Sequence, residues 1–410
     1  MNLGLILRAM RHNRTRVVLI VLEFAMTLAI ITNCINVILN ERSKMNRRSG
    51  FDDDHIMRLA VHSFAPEFRN PAFVDTILDS DVRAIAAVPG VRAAANTTFQ
   101  PWQGHGTSSK IFAVGAKGEP VTIQMVFGSR DLMQALGATI IEGRTFQDGD
   151  LGIGSQDDPA DKVIISKTVA DLLFPDGHAV GKMLQTGSPN DPSGNPMTVI
   201  GVIREFYNPF GVGNAVAPES DRALFIPLRM GGRESAYLVR TEPGATRSVM
   251  QDVERRLTMV HPGRAFEFSA IVDEKRGWFA GDKIVVTTMT CIVIALVVVT
   301  ALGLLGITSL SIAERTRQIG TRRALGATRS DILRHFLTEN LVITTAGLAL
   351  GVAGAYALNF LLVSHVSDVK LQWQLVVAGI VLLAIDGFVA TIPPALRATM
   401  VPPSVATRSI

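Results

Sequence analysis

Six arginines fall between Ala313 and Phe336, in the run AERTRQIGTRRALGATRSDILRHF: Arg315, Arg317, Arg322, Arg323, Arg329 and Arg334. Before them lie thirty residues, Ile284 to Ala313, without a charged side chain, and after them a second long apolar stretch, Leu341 to Leu362. The chemistry open to such a cluster is electrostatic. Lys and Arg in a short loop between two membrane spans hold that loop in the cytoplasm, so the run reads as a cytoplasmic loop.

Three acids are the other chemical candidates. Glu23, Glu339 and Asp386 all fall in apolar stretches, toward the cytoplasmic half of each. An unpaired charge in hydrocarbon is costly, which makes an intramembrane acid a functional candidate. The structural alternative is pairing with the nearby arginines or exposure to lipid headgroups. A proton relay would need groups continuing to the outer surface, and none are visible in the sequence.

Covalent chemistry finds no foothold. The chain contains no G-x-x-x-x-G-K-[ST] phosphate loop, no H-E-x-x-H, no C-x-x-C and no G-x-S-x-G, and its eight histidines are scattered. It is therefore expected not to be an enzyme and not to hydrolyse ATP itself. The two cysteines, Cys34 and Cys291, both sit in apolar stretches, so the polar part between them must rest on its own core without disulfides. A net charge of +4 over 410 residues, with many arginines beside apolar runs, speaks for topology and against nucleic-acid binding.

The basic run carries its own punctuation. Gly326 follows a helix-compatible stretch, Glu314 to Leu325, where a C-terminal glycine belongs. Thr328 then stands three residues before Asp331, as an N-cap with an acidic N3 partner that starts the next helix. A short helix at the membrane surface is predicted.

The elements that position these groups follow from composition. The chain is 48% hydrophobic and 19% charged, rich for a soluble protein and lean for one wholly inside a bilayer. Arg8, Arg11, Arg14 and Arg16 precede Val17 to Leu39, which is long enough to cross about 30 Å of hydrocarbon. It is too long for a signal peptide and lacks a small-residue cleavage site, so it reads as a retained span with a cytoplasmic N-terminus. Ile284 to Ala313 forms a second span of roughly 45 Å, at about 1.5 Å per residue. A third runs from about Phe336 to Leu362 and a fourth from Trp373 to Ile392, closed by Pro393 and Pro394 beside Arg397.

From Asn40 to Asp282 the composition is that of an aqueous domain. It opens with a strand (His55 to His62), an amphipathic helix (Pro71 to Ala87) and a strand (Val91 to Phe99), and closes with a strand (Tyr237 to Arg240), a helix (Ala245 to Val260) and a strand (Ala265 to Ile271). The middle reads as short strands and turns, with exposed loops over Gln147 to Asp161 and Thr186 to Asn195.

The run ERTRQIGTRRALGATRSDIL, with FLTENL after it, resembles the signature of the MacB/FtsX superfamily of ABC transporter permeases. The stretches LGATIIEGRTF, VIISKTVADLLFPDGHAVGK, MTVIGVIREF and ALFIPL are similar to the periplasmic core domain of MacB-type permeases, and PPALRATMVPPSVATRS to the family's terminal pattern. Gln318 departs from the family, which usually has Glu there.

The resemblance implies an α/β membrane protein: four transmembrane helices with a large extracytoplasmic α+β domain inserted between the first and second. Residues 1–40 would hold the cytoplasmic N-terminus and first span. Residues 41–282 would form the periplasmic core domain, with porter-like parts at about 50–102 and 231–275 around a β-rich part at about 103–230. Residues 283–410 would form the FtsX-like domain, with a coupling helix at about 314–326.

On that helix Glu314, Arg315, Arg317, Gln318, Ile319, Gly320, Arg322, Arg323, Ala324, Leu325 and Gly326 would meet an ABC ATPase subunit, which alone would bind ATP and Mg. The implied protein is a permease in a bacterial inner membrane, with both termini cytoplasmic, paired with a second copy or a paralogue and contacting lipid but no nucleic acid. It would export a substrate across the envelope, with a periplasmic adaptor and an outer-membrane channel as further partners. Alternatives are a lipoprotein-release or cell-wall-hydrolase regulator of the same superfamily, or a membrane-anchored ligand receptor.

Overall fold

The computed structural model describes residues 14–104, 106–115, 119–152, 161–187, 196–209, 220–365 and 370–400. Arg8 and Arg11, the tail after Met400, and most of the two Gly- and Asp-rich loops lie outside the described residues. The chain divides into two compact units, residues 1–46 with 281–410, and residues 47–280.

In the second unit, strands β1 (Ile56–Ser63), β2 (Val91–Asn96), β10 (Glu234–Thr241) and β11 (Arg264–Ala270) form an antiparallel sheet in the order β11-β1-β10-β2. Helices α2 (Pro71–Ala86) and α5 (Thr246–Val260) share its core. Asn70 caps α2 by accepting from the N–H groups of Ala72 and Phe73, and Pro71 occupies the first turn, where its missing N–H costs nothing. Val74, Ile77, Leu78, Val82 and Ile85 recur at helical spacing and are buried against Val249, Val253 and Leu257 of α5 and the inward side chains of β1 and β10. β2 stops at Asn96, short of the expected Phe99. Asn96 and Thr97 turn their side chains to main-chain carbonyls, Asn96 to those of Met230 and Ala236 and Thr97 to that of Phe127.

A polar cluster is buried in this layer. Asp81 accepts from the Tyr237 hydroxyl at 2.8 Å and from both terminal nitrogens of Arg264, at 2.6 and 3.1 Å. All three side chains are almost fully enclosed, so the pair locks α2, β10 and β11 together.

The remaining strands are β3 (Thr107–Ala113), β4 (Val121–Gly128), β5 (Ile140–Gly143), β6 (Lys162–Ser166), β7 (Met183–Thr186), β8 (Pro196–Ile203) and β9 (Ala223–Pro227), with short helices α3 (Leu132–Leu136) and α4 (Lys167–Leu173). They form a sheet ordered β5-β8-β6-β9-β4-β3-β7, and β7 also pairs with the start of β8. That pairing closes six strands into a ring around apolar side chains that include Ile111, Ile123, Val163, Val199 and Leu224. The loop expected to be exposed near Gln147 includes a buried acid. Asp150 accepts from Arg144, Lys162 and the N–H of Gln147.

The first unit holds α1 (Arg14–Met45), α7 (Ala280–Glu314), α9 (Arg329–His365) and α10 (Trp373–Thr399), each long and apolar enough to cross a membrane. Gly347 and Gly351 let α9 approach α1 closely: a Cβ on them would stand 2.8 Å from the Phe24 Cβ and 2.9 Å from the Leu28 Cβ. This is the small-xxx-small packing that apolar helices use in place of a hydrophobic driving force. Polar ties cross the bundle as well, from Thr27 to Thr300 at 3.0 Å and from Asn33 Nδ2 to the Ala355 carbonyl at 3.0 Å.

The fourth helix does not close at Pro393 and Pro394 as expected. It continues to Thr399 with both prolines inside it. Pro394, Ala395 and Ala398 are buried there, Ala395 and Ala398 within an apolar cluster, so packing holds the helix through the two lost N–H groups.

Candidate functional site

The basic run is not one helix from Glu314 to Leu325. Glu314 ends α7, Arg315 breaks the axis with φ −95° and ψ 8°, and a separate helix, α8, covers Thr316–Ala324. The break is consistent with the partners of Arg315. Its Nη1 reaches both carboxylate oxygens of Glu339 on α9, at 3.3 and 3.1 Å.

The end of α8 is built as the glycine suggested. Gly326 has φ +98°, a conformation that only glycine adopts without strain. The N–H of Ala327 donates to the Arg322 carbonyl at 3.0 Å and that of Gly326 to the Arg323 carbonyl at 3.1 Å, which satisfies two carbonyls of the last turn. Thr328 then caps α9 reciprocally with Asp331. The Thr328 N–H donates to Asp331 Oδ2 at 3.0 Å, and the Asp331 N–H to Thr328 Oγ1 at 3.2 Å.

Along α8 and its flanks the expected site residues separate into two faces. Ile319 and Gly320 are buried, Ile319 in a cluster with Ile312, Ile332, Phe336, Ala395 and Ala398. Arg323 also turns inward, donating to the Thr399 carbonyl at 3.1 Å. Arg317, Gln318, Arg322, Ala324, Leu325 and Gly326 are exposed, as is Glu314. Leu325 is 84% exposed, a large apolar side chain at the tip of a basic helix. This segment therefore presents guanidinium, amide and apolar groups together, the mixture that suits a docking surface.

The three acids also separate. Glu339 is buried and lies between Arg315 and Arg16, whose Nη1 is 3.9 Å away and also donates to Ser311. From α9 it bridges Arg16 of α1 and Arg315 of the turn between α7 and α8. Glu23 faces Gly303 of α7, where a Cβ would lie 2.4 Å from Oε1. Asp386 keeps one carboxylate oxygen buried without a hydrogen-bond partner among the described residues. Pairing with arginine, one of the structural alternatives for these acids, is seen for Glu339.

Sequence reasoning missed two supports of this site. Asn340 donates to Thr391 at 2.6 Å and to the Gly387 carbonyl at 3.2 Å, joining α9 to α10 just before the proline pair. Arg16 joins the N-terminal helix to Ser311. For Asn340 the available signal was a polar residue beside an apolar run; Arg16 lay in the basic cluster before the first span, which marks no single partner.

Residues 24–256 match the MacB-like periplasmic core domain family, and residues 290–403 match the FtsX-like permease C-terminal family. Among curated proteins, the chain is 29% identical over 259 residues to the macrolide export ATP-binding/permease protein MacB of Chromobacterium violaceum, covering 62% of this chain and 38% of that protein. It is 26% identical to the MacB of Hahella chejuensis, covering 81% of this chain and 48% of that one. It is also 25% identical to the uncharacterized ABC transporter permease YknZ of Bacillus subtilis, covering 83% and 81%. The chain thus spans about half the length, or less, of the MacB proteins and most of YknZ.

Proposed function

Because this chain belongs to the MacB/FtsX family of ABC transporter permeases, we propose that it is the membrane subunit through which a partner ATPase moves an extracytoplasmic domain. Family membership and four apolar helices make it a multi-pass inner-membrane protein. In this reading both termini and α8 lie in the cytoplasm, and residues 47–280 lie on the far side.

The observation that carries the reading is the exposed face of α8. Arg317, Gln318 and Arg322 project from a short helix whose other side is anchored by Ile319 and whose last turn closes at Gly326, with Leu325 exposed at its end. Such a helix passes on a push instead of bending under it. ATP and Mg would bind the partner, and this chain would supply the contact.

A second copy or a paralogue completes the assembly. In the most apolar part of α7 only 11% of residues are buried within the chain, against 56% in α1, so α7 has surface to give to another helix or to lipid. The relatives named for macrolide export support efflux as the transport class, with a periplasmic adaptor and an outer-membrane channel as further partners.

The test is copurification. Charge reversal at Arg317 and Arg322 together with Leu325→Asp leaves the buried face of α8 intact, so the permease should reach the membrane at its normal level and lose its ATPase. Retention of the ATPase by this triple variant would remove the coupling role of α8. Proline at Ile319 is the poorer probe, because Ile319 also holds the bundle.

A further inference from the structure

Within residues 47–280, the segment that follows α1 and the helix that precedes α7 come together on one tryptophan. The incoming segment is 47–53. The outgoing element is α6 (Ile271–Trp278), followed by Phe279, with α7 starting at Ala280. Asp53 sits at the centre. Its Oδ2 takes hydrogen bonds from Lys275 Nζ at 2.7 Å and from Ser49 Oγ at 2.9 Å, and its Oδ1 takes one from Trp102 Nε1 at 3.0 Å. The Lys275 ammonium also lies 4.9 Å from the centre of the Trp102 ring, within cation–π range. The ring of Phe279 packs 5.6 Å from that of Trp102.

Trp102 is held against its own backbone preference. Its φ is +61°, the only positive value among described non-glycine residues, and such a conformation in a bulky side chain persists where the surroundings impose it. Here they do. The main-chain N–H donates to Asn208 Oδ1 at 2.9 Å, and the side chain is 3% exposed. The neighbouring Tyr207 accepts the cation of Arg47 over its ring at 4.1 Å, and its N–H bonds the Ser49 carbonyl at 2.8 Å. Gly50 allows this close approach: a Cβ there would overlap the Glu205 carbonyl. A second bolt joins α6 to β1, where Arg58 Nε donates to Glu274 Oε1 at 2.8 Å with both side chains nearly enclosed.

We propose that Trp102, Asp53 and Lys275 form a clamp that fixes the segment following α1 to the helix preceding α7, so that the two membrane helices drive residues 47–280 as a single body. A ladder of main-chain hydrogen bonds alone would let the two connections shear. The strained tryptophan, hydrogen-bonded to one connection and stacked on the other, prevents it. The clamp is a feature of the fold in its own right; it rests on the transporter reading only for the source of the motion.

The test uses the full chain in lipid nanodiscs, with Cys34 and Cys291 replaced by serine and spin labels at Arg48→Cys and Arg276→Cys, two exposed positions on the two connections. The wild-type distance distribution should be narrow, and it should stay at the same centre when the bound ATPase is trapped with ATP and vanadate. Trp102→Ala and Lys275→Met should broaden it to about twice that width, as expected when a local contact opens. Lys275→Arg should restore it, which a side chain that merely fills space would not predict. Distributions in Trp102→Ala and Lys275→Met as narrow as the wild type overturn the clamp, and so does a wild-type centre that shifts on trapping. Failure of any ATPase to copurify with the wild-type chain would instead overturn the transporter reading, and the widths measured without nucleotide would still decide the clamp.

Discussion

Single residues matter most where a charge is enclosed. Glu339 holds Arg315 and Arg16, so Glu339→Ala leaves two half-buried guanidinium groups without their shared carboxylate. It should destabilise the membrane bundle, by less than the roughly 3–5 kcal/mol of a fully buried pair because both guanidinium groups are half-buried, and replacing Arg315 and Glu339 together by methionine should cost less still. Thermal unfolding in detergent measures both. In the other unit Asp81 poses the same problem in full burial, and Asp81→Ala should cost about 3–5 kcal/mol, because Arg264 would be left buried. Tyr237→Phe removes one hydrogen bond and leaves the ion pair, and should cost about 1 kcal/mol. Burial, followed by the neighbouring Asp81 carboxylate, pushes the Tyr237 hydroxyl well above its ordinary value, so it should not ionise in the folded state under alkaline titration.

Asp150 adds a pH dependence whose sign follows from its partners. The Arg144 guanidinium, outweighing burial and joined by the Gln147 N–H and Lys162, holds this carboxyl far below the usual range. The unfolded chain therefore binds the proton more tightly than the folded one. The stabilisation is complete above the ordinary carboxylate value of about 4 and is lost as pH falls below it toward the depressed folded value. Asp150→Asn should flatten the acid limb of the stability curve, read from melts at graded pH.

At the scale of elements, α8 is a nine-residue helix with too few turns to be stable alone. Its existence depends on the burial of Ile319 and on the closure of its last turn at Gly326. Gly326→Val forces a β-branched residue to φ +98° and should fray the last turn. Hydrogen exchange at Arg323 to Ala327 should speed up, and ATPase association should weaken, while the level in the membrane is unchanged. The opposite lesson comes from α10. Two prolines are the strongest local signal for ending a helix, yet the helix runs on because Ala395 and Ala398 complete the cluster around Ile312, Ile332 and Phe336. Local propensity lost to tertiary packing there.

At the scale of the whole molecule, the decisive prediction is topological. In intact cells a membrane-impermeant thiol reagent should label a single cysteine placed at Gly152 and should not label one placed at Arg322, with Cys34 and Cys291 replaced by serine. Labelling of position 322 from outside would reverse the membrane orientation on which the transporter reading depends.

What the sequence determined by itself is whatever has a short period or a strong local residue preference. Long apolar runs marked the four long helices, helical spacing marked α2 and α5, alternation marked β1, and Gly326 with Thr328 and Asp331 marked the end of one helix and the start of the next. The bounds moved by a few residues because capping and packing set them. The tertiary structure alone decided which arginines face inward: six identical side chains in one run carry no local sign that Arg315 will meet Glu339, Arg323 will meet the Thr399 carbonyl, and Arg322 will stay exposed. It also decided the closed ring of β3, β4 and β6 to β9 and the meeting of Asp53, Trp102 and Lys275, residues far apart along the chain. Pairings over such distances depend on loop closure and on the fit of whole surfaces, and neither leaves a period in the sequence.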